Sequence, residues 1–423
     1  MHRQNHGMLE IFPETALVED GMLSVGGCTA ADLAEEFGTP LVVLCERTIR
    51  TRARAYRSAA PDDALVVYGT KAFPNVALMR LLADEGIGAD VSTLGELAFA
   101  QAAGIPGENL VFHGNNKSDE ELRAAAQAGA LVVLDATDEP ERAHAAGVRR
   151  AMIRLTPGVA ADTHSAIRTA HVGSKFGLPP DDALAAIRDA RGLGIDVAGV
   201  HMHVGSQLTR TDESLLSVDA LAAFCARARD ELGWTPELVD LGGGLGIPYE
   251  PDESPPEIGD YVHALVDRFR AAWDEPARLI LEPGRSLVGP AGVTLYTIGA
   301  VKRSGDVVYA AIDGGMSDNP RPQFYDARYT ALLANRATEP AAGPYRIAGK
   351  HCESGDVLID RVELPEPRRG DLLAVPATGA YTLGMGSNYN GVPRPATVLV
   401  ADGEARVVRR RETVDDLLRI ETE

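Results

Sequence analysis

Leu65-Val66-Val67-Tyr68-Gly69-Thr70-Lys71 is a short apolar run that stops at a lysine. Branched and aromatic residues in near-continuous succession suit a strand buried on both faces, as a parallel sheet requires. The pattern recurs. Runs rich in Val, Leu and Ile stand at 88–91, 109–113, 130–135, 150–155, 197–203, 237–241 and 278–282, separated by Ala-rich, helix-favouring stretches. That makes eight strand candidates, seven of them followed by a clear helix before the next. Ser118 with Glu121, and Thr93 with Glu96, read as capping boxes that start two of the helices. Eight β-α units in roughly 250 residues match a (β/α)8 TIM barrel. An open, doubly wound sheet is the alternative.

Beyond residue 290 the texture changes. Residues 293–301, 307–312, 371–375, 396–400 and 405–409 read as strands, with turns at Pro365-Glu366-Pro367 and Pro393-Arg394-Pro395. The expected α/β organisation is an N-terminal segment (1–37) that joins the β domain, a barrel (38–290) and a C-terminal β-rich domain (291–423). No internal repeat of solenoid length stands out.

The 423 residues are 45% hydrophobic and 24% charged, ample for a large core. Asp plus Glu number 61 against 41 Lys plus Arg, a net charge of −20, which argues against a nucleic-acid partner and against an anionic membrane surface. No apolar run approaches the ~20 residues of a membrane span. Met1–Glu10 is polar and lacks a signal core. Cys28, Cys45, Cys225 and Cys352 show neither C-x-x-C nor zinc-like spacing, so free thiols in a reducing cytoplasm are expected.

Chemistry in a TIM barrel sits at the C-terminal strand ends. Here those ends carry Lys71, Asp90 with Ser92, His113, Asp135, Arg154, His201 with His203, Gly242–Gly244, and Glu282 with Arg285. Lys71 is either a Schiff-base lysine or a salt-bridged rim lysine. The glycines, followed by Leu245 and Gly246, could let backbone N–H groups approach a phosphate, or could form a tight turn. Their spacing is not the dinucleotide fingerprint. In Glu282-Pro283-Gly284-Arg285 the carboxylate could keep a pyridine nitrogen protonated, and the Arg fork could take a phosphate or carboxylate; an internal ion pair is the plainer reading. His201 and His203 share one strand face. A metal-dependent hydrolase of this architecture usually carries such a pair on the first strand, whereas this pair falls on the sixth. No metal is therefore expected, and a ring stacked on a flat cofactor fits better. Cys352 lies among Lys350, His351 and Glu353, unlike a core cysteine.

Taken together, these segments resemble the diaminopimelate decarboxylase family of fold-type III pyridoxal-phosphate enzymes, whose barrel is alanine-racemase-like. The resemblance rests on Tyr68–Ala72, Asp90–Leu97, His113–Ser118, Ser174–Gly177, His201–Gln207, Asp240–Gly244, Glu282–Arg285, Cys352–Ser354 and Gly379–Tyr381, in the family's order. It implies that Lys71 carries pyridoxal 5'-phosphate and that His203 stacks on its ring. Asp90, Ser206, Gly242, Gly243, Gly244, Pro283, Gly284, Arg285 and Tyr381 would complete the cofactor site, with Glu282 on the pyridine nitrogen. Arg285, Arg321, Tyr325, Glu353 and Tyr381 would contact the substrate. Cys352 would donate a proton and, with Glu353, would come from the partner subunit of a homodimer. The implied reaction turns meso-diaminopimelate into L-lysine and CO2, the last step of lysine biosynthesis. A same-fold decarboxylase for ornithine, arginine or a specialised amino acid is the alternative. Phe73, Thr397 and Gly349-Lys350-His351 stand where many members have Asn, Glu and a Gly-Pro lead-in.

Overall fold

The computed structural model describes residues 8–156 and 174–422. Its chain divides into two compact units. One comprises Arg52–Gly246 and Pro255–Ser286. Its strands Leu65–Gly69, Gly88–Val91, Leu110–Phe112, Leu131–Leu134, Arg150–Leu155, Asp196–Met202, Leu238–Asp240 and Arg278–Leu281 form a closed barrel. All neighbours run parallel, and the last strand pairs with the first through Ile280↔Leu65 and Leu281↔Val66. That closure excludes the open doubly wound sheet. Val67, Val111, Val133, Met152, Ala198 and Ile280 fill the interior, so the barrel is a packed core and not a pore.

Side-chain caps start the outer helices that follow the first three strands. Ser118 Oγ accepts the Glu121 N–H at 3.1 Å while Glu121 Oε2 accepts the Ser118 N–H at 2.8 Å, the reciprocal box expected there. The second box is only half formed. Thr93 Oγ1 accepts the Glu96 N–H, but Glu96 Oε2 takes the N–H and hydroxyl of Ser92, one residue earlier. Between the third and fourth strands Lys117 is buried. Its ammonium donates to Gly114 O (2.6 Å) and Val133 O (2.8 Å) and pairs with Glu139 at 3.0 Å. This pins the loop after the third strand to the barrel wall.

The other unit comprises Met1–Thr51, Ile247–Ser254 and Leu287–Glu423. Its centre is the 13-residue strand Gly292–Ser304, which pairs antiparallel with Val307–Ile312, Leu372–Pro376 and Leu41–Cys45. Leu41–Cys45 in turn runs parallel to Ala396–Ala401. The expected boundary after residue 37 is corrected here: residues 38–51 belong with the β unit. Leu41-Val42-Val43-Leu44-Cys45 is buried throughout, so it carries the same apolar signature as a barrel strand and alternation could not separate the two. Ile247–Ser254 also leaves the barrel, with Ile247 and Tyr249 packing in the β core. Strands Leu17–Glu19, Met22–Val25, Cys28–Thr29, Gly343–Ala348 and Val357–Leu364 were not anticipated.

Among the described residues no helix is long and apolar enough to cross a membrane. Removing the partner of a buried charge is far costlier than removing a surface pair. Glu139→Ala, which strands the Lys117 ammonium, should therefore cost about 3–5 kcal/mol in denaturant unfolding. A loss below ~1 kcal/mol would show that the two carbonyls alone satisfy Lys117.

Candidate active site

Thr70–Ala72 forms a 3-10 turn directly after the first strand. The Thr70 hydroxyl ties it to Asp90 O on the second strand at 2.7 Å. Lys71 Nζ lies 3.3 Å from Asp90 Oδ2. The Asp90 carboxylate is buried, whereas the Lys71 side chain is 55% exposed. The amine is thus paired with a buried carboxylate although over half of the side chain is exposed.

Glu282 follows the eighth strand and is buried. His113 Nε2 meets its Oε1 at 2.6 Å, and His201 Nε2 meets its Oε2 at 3.1 Å. Burial alone would raise the carboxyl's pKa, but the two imidazoles outweigh it and hold the group well below its ordinary range. Asp240, at the end of the seventh strand, responds the other way. Burial and the neighbouring Glu282 charge push its pKa up. Burial lowers His201 to about 3, so its ring is neutral. Burial and the nearby Lys71 charge lower His203 in the same sense.

The glycine run is shaped by contact. Gly242 takes φ +68°, and a Cβ on Gly243 would stand 2.1 Å from Glu282 O. The Gly242 N–H donates to Asp240 Oδ1 (2.8 Å) and the Gly243 N–H to His203 Nδ1 (3.3 Å). These two amides therefore orient side chains of the site. No helix starts at this run, since the next begins at Ile258. Arg285 Nη2 donates to Ser206 Oγ at 3.0 Å, placing a cation and a hydroxyl together. Pro283 O accepts the Gly69 N–H at 3.0 Å, which locks the eighth strand end to the first, and Gly284 packs against Gly69. Lys71, Asp90, His203, Ser206, Gly242–Gly244 and Glu282–Arg285 therefore gather at one end of the barrel.

The remaining candidates lie on the β unit. Cys352 is exposed, and the other three cysteines are buried free thiols. The Cys352 N–H donates to Asn390 Oδ1 at 2.9 Å. Just before it, the His351 N–H and Nδ1 both reach Asp356 Oδ2, at 2.9 and 2.7 Å. That double anchor stiffens a lead-in that carries no proline. Gln323 Nε2 donates to Gly355 O and Val357 O, which ties the short helix Arg321–Tyr325 beside the Cys352–Glu353 loop. Tyr325 is 62% exposed. Arg321 is buried, its guanidinium 4.3 Å over the Tyr249 ring and donating to Tyr329 Oη at 2.6 Å. Tyr381 adopts φ +57° in the turn after the strand Leu372–Pro376.

The pyridoxal binding domain of the pyridoxal-dependent decarboxylases matches residues 46–289. Over 97% of the chain the sequence is 45% identical to diaminopimelate decarboxylase of Actinosynnema pretiosum, covering 95% of that protein. The chain belongs to the diaminopimelate decarboxylase family. The Bacillus subtilis member is 42% identical over 95% of this chain and 96% of its own. The crystal structure of the M. jannaschii enzyme in co-complex with L-lysine is 34% identical and superposes with a TM-score of 0.91, covering 97% of this chain and 98% of that one.

The family's pyridoxal cofactor fits these residues. Lys71 presents an amine, Glu282 a carboxyl held toward its ionised form, and Ser206 with Arg285 an anion-binding pair. His113 and His201 were visible in the sequence only as strand-end residues, and their convergence on Glu282 was not. In the sequence Asp240 stands out only as part of the segment Asp240–Gly244. The usable signal was its place at a strand end, in Leu238-Val239-Asp240.

Gly243→Ala tests the packing. Overpacking of this kind costs typically about 1–3 kcal/mol, so thermal unfolding should report a loss in that range, and cofactor titration a weakened affinity. Unchanged values in both would mean that the Gly243–Glu282 contact relaxes freely.

Proposed function

We propose that the chain decarboxylates meso-diaminopimelate to L-lysine and CO2. The observation that carries this is the pairing, at one barrel end, of an exposed Lys71 with a buried Glu282 held toward its ionised form, in a chain of this family. Bound pyridoxal phosphate supplies an electron sink for the electron pair left when CO2 departs. Every other role falls to the protein. Lys71 would hold the cofactor through its side-chain amine. Asp90 orients the Lys71 amine. Glu282 would keep the ring nitrogen protonated, His203 would lie against the ring, and Ser206 with Arg285 and Gly244 would hold the phosphate side, while Gly242 and Gly243 orient Asp240 and His203. Tyr381 is the remaining residue that would contact cofactor and substrate.

Cys352 returns a proton to the substrate carbon. Glu353, Arg321, Tyr325 and Arg285 read the substrate's distal amine and carboxylate. A site built to hydrogen-bond such groups rejects analogues that lack them by up to ~10⁴–10⁵. The Arg321 guanidinium, stacked on Tyr249, is pre-set to offer its fork to a carboxylate. Cys352 and Glu353 act from the partner subunit of a homodimer. The exposure of Cys352, Glu353 and Tyr325, with Phe324 at 64%, supports this reading. The enzyme works in the cytoplasm, in keeping with four free thiols.

Supplying meso-diaminopimelate to the holoenzyme should give equimolar lysine and CO2, and Lys71→Ala should abolish both together with the visible absorbance of lysine-bound cofactor. Turnover of ornithine or arginine instead would move the enzyme to a sister specificity, and normal turnover by Lys71→Ala would end the proposal. Mixing inactive Lys71→Ala and Cys352→Ala subunits should restore about a quarter of the activity by random two-fold re-pairing. No recovery, with exchange verified, would place each site within one subunit.

A further inference from the structure

His113, His201 and Asp240 surround Glu282, and the reaction outlined above uses none of them. The ligand atoms of all four lie within 4.8 Å of one another, which raises the question of a metal. Geometry answers it. Two ligands of one tetrahedral zinc, each at ~2.0–2.1 Å from the ion, stand about 3.3 Å apart. His113 Nε2 and Glu282 Oε1 are only 2.6 Å apart, a hydrogen-bond distance. His201 Nε2 and Glu282 Oε2 follow at 3.1 Å. The two rings meet edge-on, with centroids 4.7 Å apart, one on each carboxylate oxygen.

We infer that His113 and His201 are positioning residues for Glu282, each donating Nε2–H to one carboxylate oxygen, so that the proton shared with the bound cofactor's ring nitrogen rests on the ring. This rests on the reading of Glu282 as the ring's partner. A proton shared between an oxygen and a nitrogen sits on the more basic atom. Each hydrogen bond donated to a carboxylate favours its ionised form and makes it less basic. His201 carries one proton, and its Nδ1 has no partner among the described residues, so Nε2 is the donor. Asp240 Oδ1 accepts from Gly242, and the Asp240 side chain also meets Glu282. Burial and the Glu282 charge push Asp240 toward its neutral form, which lessens its repulsion of the charge on Glu282. Asp90, 3.8 Å from His113 Nε2, is matched by Lys71.

The test uses holoenzyme reconstituted with cofactor isotope-labelled at the ring nitrogen. NMR of that nitrogen reads its protonation without turnover. The wild type should show a protonated ring. His113→Leu with His201→Leu should shift the resonance toward the unprotonated form and lower kcat by ~10²-fold, the scale of losing one preorganised electrostatic group, with KM nearly unchanged. The His113→Gln variant keeps an N–H donor and should recover most of the shift, which a purely structural role would not predict. Glu282→Gln is the control. If it deprotonates the ring while the double Leu variant does not, the clamp is wrong and the reading of Glu282 stands. If Glu282→Gln leaves the ring protonated, both fall. Should the Leu variants fail to fold, the wild-type holoenzyme still decides. Both histidine Nε2 protons should appear as slowly exchanging resonances, and their absence overturns the clamp.

Discussion

A buried carboxylate held toward its ionised form is the constraint on which the barrel's mouth depends. Removing a lone charged group from water costs far more than one domain's net stability, so a buried carboxylate must be compensated or neutralised. Glu282 is compensated by two imidazole donors on two different strands. Asp240, one strand away, has no such donors and is pushed toward its neutral form. Two chemically similar buried groups in one pocket are thus shifted in opposite directions, Asp240 by burial and the Glu282 charge and Glu282 by its two imidazoles, a common way to prepare acid–base chemistry.

This arrangement needs convergence from strands distant in the chain. His113, His201, Asp240 and Glu282 end the third, sixth, seventh and eighth barrel strands. Only a closed parallel barrel brings such ends to one point, and the closure is itself a contact between the first and last strands. The Gly69 N–H to Pro283 O bond extends that closure one step beyond the ladder and puts the Lys71 turn beside the Glu282 segment. Barrel register and site geometry are therefore one requirement.

The barrel was legible because its strands are short, apolar and separated by helix-favouring stretches, a pattern with few other solutions. All eight proposed runs coincide with barrel strands to within about two residues, within the usual boundary tolerance. Leu41–Cys45 was misassigned because full burial erases the alternation that would mark a mixed sheet. Val357–Leu364 escaped for the opposite reason: Asp360, Arg361 and Glu363 face solvent and dilute the apolar signal. At the site, strand-end chemistry could be listed from sequence. Which partner each group would choose could not, because that depends on side-chain reach across the barrel. The Gly242 and Gly243 amides show this. Composition suggested a phosphate cradle, and the fold turns both toward Asp240 and His203.

Exposure follows chemical duty. Glu282 and Asp240 only need to hold charge or a proton in place, and both are sealed, where low dielectric makes each hydrogen bond count for more. On the reading proposed above, Lys71 and Cys352 must make and break bonds or pass a proton to substrate, and both are open. An open reactive group needs a rigid base if it is not to wander. Lys71 has its turn tied by the Thr70 hydroxyl to Asp90 O. The Cys352 backbone is fixed by Asn390 and by the His351–Asp356 pair immediately before it. In both cases the neighbouring residue carries a buried anchor, and at Lys71 the Asp90 carboxylate steadies the amine as well.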